Sequence, residues 1–243
     1  LHERRLHERR LHERRLRERR LRERWGLRTR WGLRNRGALR NRWGMIQVHG
    51  HAMSGNCWKV ATILRLTGRP FAWIETDSNA GATRTAEFLA LNPNGKVPIA
   101  VLDDGTVLTE SNAILLHFAE ATPWLPPPGL PRTRVHEWLF FEQYSHEPFV
   151  AVARNLLTHR REAALFPDRM AACRAGGERA LGIMQRRLEA AEWLTDAGPT
   201  VADLALFAYT HVAHEGGFDL AATPAVAAWV ARLRERPGIV PLG

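Results

Sequence analysis

Two cysteines in 243 residues are too few for a disulfide framework, and Cys57 and Cys173, far apart and without C-x-x-C spacing, make no zinc site either. No apolar run reaches the length of a membrane span, and no segment has the charged n-region and apolar h-region of a signal peptide. A reducing, cytoplasmic setting is therefore expected. Tyrosine is scarce as well: Tyr144 and Tyr209 are the only two, both in the second half. Metal binding has little to recommend it. His211, His214 and Glu215 read H-x-x-H-E, which is not H-E-x-x-H and brings no third ligand, so no metal is expected. Beyond the first 44 residues no stretch interleaves aromatics with positive charge as nucleic-acid binding requires.

What the chain does have, at its start, is arginine. L-H-E-R-R occurs three times, then L-R-E-R-R, then decaying variants that bring in Trp25, Trp31 and Trp43. Leucines five apart advance by about 140° on a helix, so Leu1, Leu6, Leu11, Leu16 and Leu21 spiral round the axis and build no apolar stripe. Residues 1–44 carry 17 Arg against 5 Glu, a net of +12; the rest has 18 basic and 20 acidic residues, a net of −2. The extreme pI belongs to this arm alone. It reads as a disordered basic arm, either a tether to nucleic acid or an anionic surface, or a tandem repeat read through ahead of Met45, the first methionine. The second reading is preferred.

From Met45 the texture is that of a folded chain. Met45 to Val48 is a β-type run, Asn56 to Thr67 follows helical spacing, and Phe71 to Glu75 is a second strand. Thr85 to Leu91 reads as a helix. Asn92-Pro93-Asn94-Gly95 then feeds Lys96-Val97-Pro98, a strand from Ile99 to Leu102, the Asp104-Gly105 hairpin signal and a short strand to Thr109. A helix follows with Ser111 at its cap, and such a start offers N–H groups and partial positive charge to a carboxylate. The order βαβ-α-ββα is thioredoxin-like, an α/β fold. Five prolines between Thr122 and Pro131 read as a stiff linker. Downstream everything is helical in pattern: Val135 to Leu157 as one long helix bent at Pro148, Met170 to Trp193, Val201 to His214 behind a Thr200–Asp203 capping box, and Ala225 to Arg236.

G-K-V-P-I at 95–99, the D-G hairpin and E-S-N-A-I at 110–114 resemble the glutathione-binding half of the cytosolic glutathione S-transferases. T-V-A-D at 200–203 is similar to a recurring helix start in their helical half. The resemblance implies a thioredoxin-like domain at 45–121, an all-helical domain at 132–243, a homodimer and no membrane attachment. It also implies a cis bond before Pro98. Val97 would pair its backbone with the cysteinyl part of glutathione, Glu110 and Ser111 would hold the γ-glutamyl end, and Lys96 would help anchor the carboxylates.

In this family a hydroxyl or amide near the start of the first helix activates the glutathione thiol. No tyrosine stands there. Counted back from Val60, Ser54 coincides with the serine of the S-P-x-x-x-R-V pattern, and Asn56 with the asparagine of T/S-P-N-x-x-K-V in fungal and bacterial relatives that reduce disulfides. Gly55 replaces the proline of both. Ser54 is the preferred activator and Asn56 the second, while Cys57 is a rival nucleophile because a first-turn cysteine can have a lowered pKa. Phe141, Tyr144 and Glu147, spaced i, i+3, i+6, are candidates for the wall of an electrophile cleft. The expected function is conjugation of glutathione, as co-substrate, to small hydrophobic electrophiles. The alternatives are glutathione-dependent disulfide reduction and a non-catalytic glutathione-fold binding protein.

Overall fold

Four short strands set the frame of the first half. In a computed structural model describing residues 45–242, the sheet order is β2–β1–β3–β4, with β1 at Ile46–Gly50, β2 at Phe71–Glu75, β3 at Ile99–Val101 and β4 at Val107–Leu108. β1 runs parallel to β2, with Val48 opposite Trp73, and antiparallel to β3, with Val48 opposite Ala100. β3 and β4 form the hairpin that Asp104-Gly105 announces: Gly105 takes a positive φ of 84° and Asp104 accepts the Thr106 N–H. The predicted basic arm falls on residues outside those described.

Helix α1, Gly55–Leu66, crosses from β1 to β2, and α2, Ala86–Leu91, is capped by Thr85. Helix α3, Ser111–Ala119, follows the hairpin and packs on α1 through Val60, Ile63, Leu64, Ile114, Leu115 and Phe118, all buried. This is the thioredoxin-like half.

The second half is helical: α4 at Leu130–Phe141, α5 at Glu147–Arg154, α6 at Pro167–Ala190, α7 at Val201–Thr210 and α8 at Pro224–Arg234. All ten residues of α7 are buried, and it packs against α1, α3, α4 and α5, so the apolar helix is the keel of the whole unit. Its start is held as T-V-A-D suggests. Thr200 Oγ1 accepts the Ala202 N–H, while the Asp203 carboxylate accepts the Thr200 N–H at 2.9 Å. Asp203 also accepts from Leu194 N–H and the Trp229 indole, so one carboxylate ties the cap to two other segments.

One expectation needs refining. The helical run expected over Val135 to Leu157 is unbroken, but it is not regular α-helix throughout: a wide helical turn at Glu142–His146 joins α4 to α5 and a second, at Asn155–His159, follows α5. Glu147 N–H bonds to Glu142 O, five residues back. Pro148, just beyond, has no N–H for the carbonyl four residues before it, and its ring would strike that carbonyl in a regular helix. The extra residue in the turn removes the conflict. The α-helical spacing assumed for Phe141, Tyr144 and Glu147 therefore does not hold across this stretch.

Candidate active site

The start of α1 is built from both halves of the chain. Ser54 is the N-cap, in extended conformation, and its Oγ accepts the Cys57 N–H at 3.3 Å. That bond uses an oxygen lone pair, and the hydroxyl also meets the Tyr209 phenol and the Cys57 thiol. The preceding loop is fixed at two points: the Arg154 guanidinium donates to Met53 O at 2.7 Å and to Glu215, and the Glu75 carboxylate accepts from Ala52 N–H and meets His51 at 2.8 Å. Burial works to raise the Glu75 carboxyl, but bonds from His51, Trp73 and Ala52 outweigh it and hold the group below its usual range.

Gly55 has a physical reason. A Cβ there would lie 2.7 Å from the Tyr209 ring and 2.8 Å from Ala208 O, closer than real Cβ contacts come. The backbone of α7 thus claims the space, and proline, which has a Cβ, is excluded by the same approach. Tyr209 then accepts the Asn56 N–H through its hydroxyl at 3.3 Å. Cys57 is a different matter: its thiol is fully buried, and burial pushes it up to about 12 despite N–H donation from His51. A thiol so buried is shut off from substrate and favours its protonated form, which weighs against the cysteine rival.

The second wall is the loop into β3 and the start of α3. The Val97–Pro98 peptide bond is cis. Asn92 shapes the loop ahead of it, donating to Lys96 O at 2.8 Å and accepting from Asn94 N–H; Lys96 is exposed and Val97 half-buried. Ser111 is not the cap of α3. Glu110 holds that position with φ at 64°, and Ser111 is the first helical residue, buried, its hydroxyl donating to Asn56 Oδ1 at 3.2 Å. A positive φ in a non-glycine costs of order 1–3 kcal/mol and tends to occur at ligand clamps. It turns the exposed Glu110 out of the helix line and the Ser111 side chain towards α1.

The third wall comes from the turn between α4 and α5. Glu147 Oε1 accepts from Asn56 Nδ2 in a long bond of 3.4 Å. Burial, then the nearby Glu142 carboxylate, raises the Glu147 carboxyl, while Lys59, Asn56 and Lys96 pull it back. Glu142 itself is fully buried against Lys59, 2.9 Å away, and Asn112 accepts from Lys59 at 3.1 Å and donates to Glu142 at 2.9 Å. Phe141 is half-buried, edge-on to Trp138, and Tyr144 is 85% exposed.

Ser54, Asn56, Ser111 and Glu147 are thus gathered at one junction, with Val97–Pro98 at the head of the neighbouring strand, whereas Tyr144 stands in solvent. Sequence reasoning missed Tyr209, Arg154, Lys59, Glu142 and Asn112. Only Lys59 left a trace, a lone charge between Trp58 and Val60 on an otherwise apolar helix face. The His211 ring is engaged within the helical half, bonding Phe207 O and receiving the Leu242 N–H.

Comparison with known proteins matches this architecture. The model of the glutathione S-transferase N-terminal domain matches residues 53–121, and that of the C-terminal domain matches residues 168–237. A glutathione S-transferase from Xanthobacter autotrophicus Py2, solved by crystallography, is 62% identical with a TM-score of 0.79, covering 81% of this chain and 96% of its own. The chain belongs to the glutathione S-transferase family. Within it, similarity extends to the disulfide-bond oxidoreductase YfcG of Escherichia coli K12, 28% identical over 76% of this chain and 89% of that protein. The URE2 protein of Eremothecium gossypii is 28% identical over 78% of this chain, which spans 65% of that relative's length. No described helix is long and apolar enough to cross a membrane.

Proposed function

We propose that the chain is a glutathione transferase that conjugates reduced glutathione to small hydrophobic electrophiles. Family membership supports glutathione as the co-substrate, and the observation that carries the reading is the 3.2 Å contact between Ser111 and Asn56. It sets the starts of α1 and α3 side by side, within the span of one small peptide. The γ-glutamyl end lies at Glu110, Ser111 and the first N–H groups of α3, the cysteinyl backbone pairs with Val97 ahead of Pro98, and Lys96 attracts the remaining carboxylate. The sulfur then faces Ser54. Occupied in this way, the thioredoxin-like half binds one substrate and the helical half, along Phe141, borders the other. The fold divides between the two substrates at 45–121 and 132–243.

The energies are adequate. A free thiol has a pKa of about 8.5, and lowering it by two units needs about 2.7 kcal/mol of preference for the thiolate. One hydrogen bond to a charged acceptor supplies about 1.5–3 kcal/mol, and the helix start adds about 0.3–1. The Ser54 hydroxyl donates to the sulfur while its oxygen keeps the Cys57 N–H. The thiolate attacks the electrophilic carbon, a C–S bond forms, the leaving group departs with the electron pair of its own bond, and the thiol proton has already passed to solvent.

Reduction of mixed disulfides by glutathione is the second reading. The position of Asn56 at the same helix start and the similarity to YfcG favour it. Three assays with reduced glutathione separate the readings: an aryl halide, an organic hydroperoxide and a glutathione mixed disulfide. Conjugation faster than the other two supports the transferase. Disulfide reduction alone favours the second reading, and no turnover with measurable glutathione binding leaves a binding protein.

A further inference from the structure

At 100° per residue, positions 142 and 147 of a regular α-helix would face directions about 140° apart. The turn between α4 and α5 replaces that register with the bond from Glu147 N–H to Glu142 O, which brings the two residues into line. Their carboxylates then address the two helix starts together. Glu142 meets Lys59 and Asn112, and Asn112 directly follows Ser111. Glu147 meets Asn56, which in turn receives the Ser111 hydroxyl.

A carboxamide has almost the same shape when flipped, but its donors and acceptor exchange places. Ser111 tolerates either orientation of Asn56, because a hydroxyl both donates and accepts. Tyr209 bonds Asn56 through the backbone N–H. Glu147 Oε1 accepts from Asn56 Nδ2, so Glu147 is the partner that sets the direction: Nδ2 towards α5, Oδ1 towards α3. The Ser111 proton is then committed to Asn56, and the hydroxyl is held at the pocket in one rotamer.

We propose that Glu147 is a positioning residue for the γ-glutamyl pocket, orienting Asn56 and through it Ser111, and that the wide turn exists in this chain to place it. The inference rests on the glutathione reading above. It also moves Glu147 from the electrophile wall to the glutathione side of the site.

The test is titration calorimetry of the full chain with reduced glutathione, for wild type, Glu147→Leu, Glu147→Gln, Asn56→Ala and the Glu147→Leu/Asn56→Ala double variant. Glu147→Leu should weaken binding about tenfold, the usual effect of one lost hydrogen bond to a charged group. Glu147→Gln, which keeps the shape but can donate as well as accept, no longer fixes the Asn56 orientation and should recover only part of that. In the Asn56→Ala background Glu147→Leu should cost nothing further, whereas a loss of packing alone would persist there. Far-ultraviolet circular dichroism confirms that each variant is folded before it is titrated. Wild-type affinity in folded Glu147→Leu, or equal tenfold losses with and without Asn56, overturns the inference while leaving glutathione in its pocket. A wild-type chain that binds no glutathione overturns the functional reading and this inference with it.

Discussion

Within a single helical turn, Ser54 and Cys57 show how burial decides between two chemically plausible groups. Both stand where the α1 dipole favours an anion, and Ser54 even bonds the Cys57 backbone. Ser54 is half-exposed, and Cys57 is sealed beneath the helix with its thiol pushed up to about 12. Native chain incubated with oxidised glutathione should therefore form no mixed disulfide at Cys57, read by intact-mass spectrometry, and should do so only when denatured. An adduct on the native chain would return Cys57 to the chemistry. The sequence pattern singled out the serine and the asparagine at the start of α1, because motif spacing records the chain's own turns, and the asparagine stands against Ser111. The pattern misplaced the cap of α3, because the positive φ at Glu110 shifts the helix start by one residue and leaves no trace in the sequence.

Strands, hairpin and most helices were legible because each carries its own periodicity and punctuation. The turn at Glu142–His146 was not, although Pro148 signalled a disturbance: proline marks where a helix must yield, and packing chooses between a bend and a wider turn. That turn now holds the buried Lys59–Glu142 pair between the thioredoxin-like and helical halves. Breaking a buried ion pair by removing one partner leaves the other charge uncompensated, at a cost of about 3–5 kcal/mol. Lys59→Met should lower unfolding free energy by that amount in urea titration. Lys59→Met/Glu142→Gln should regain a large part of it, since the stranded charge is gone. A single variant as stable as wild type would mean that the pair is dispensable to the joint.

Across the whole unit, the contacts that sequence windows cannot see are those between distant segments. Trp58 donates to Val240 O at 2.6 Å, and His211, stacked on Phe207, receives the Leu242 N–H at 3.0 Å, so the final residues strap α1 to α7. Burial holds His211 down to about 3 and His146 to about 4. Unfolded, both protonate near 6.5. Below that pH the unfolded chain binds more protons than the folded one, so stability is full above 6.5 and falls as pH drops towards 4. Each histidine contributes at most about 1.4 kcal/mol per pH unit. The Glu147 and Asp203 carboxyls, raised by burial, act in the opposite sense. In His211→Gln the slope of unfolding free energy against pH between 6.5 and 4 should be visibly smaller. An unchanged slope would show that His211 already charges in the folded state.

The proposed chemistry turns on one atom, the Ser54 hydroxyl, and thiolate absorbance of bound glutathione against pH reads it directly. The wild-type complex should titrate about two units below free glutathione. Ser54→Ala should shift that curve upward by one to two units, about 1.5–3 kcal/mol of lost donation, with glutathione affinity nearly unchanged because Ser111 and Lys96 anchor the carboxylates. A Ser54→Ala curve superimposable on wild type, in a chain that still binds glutathione, would contradict the assignment of Ser54 as activator.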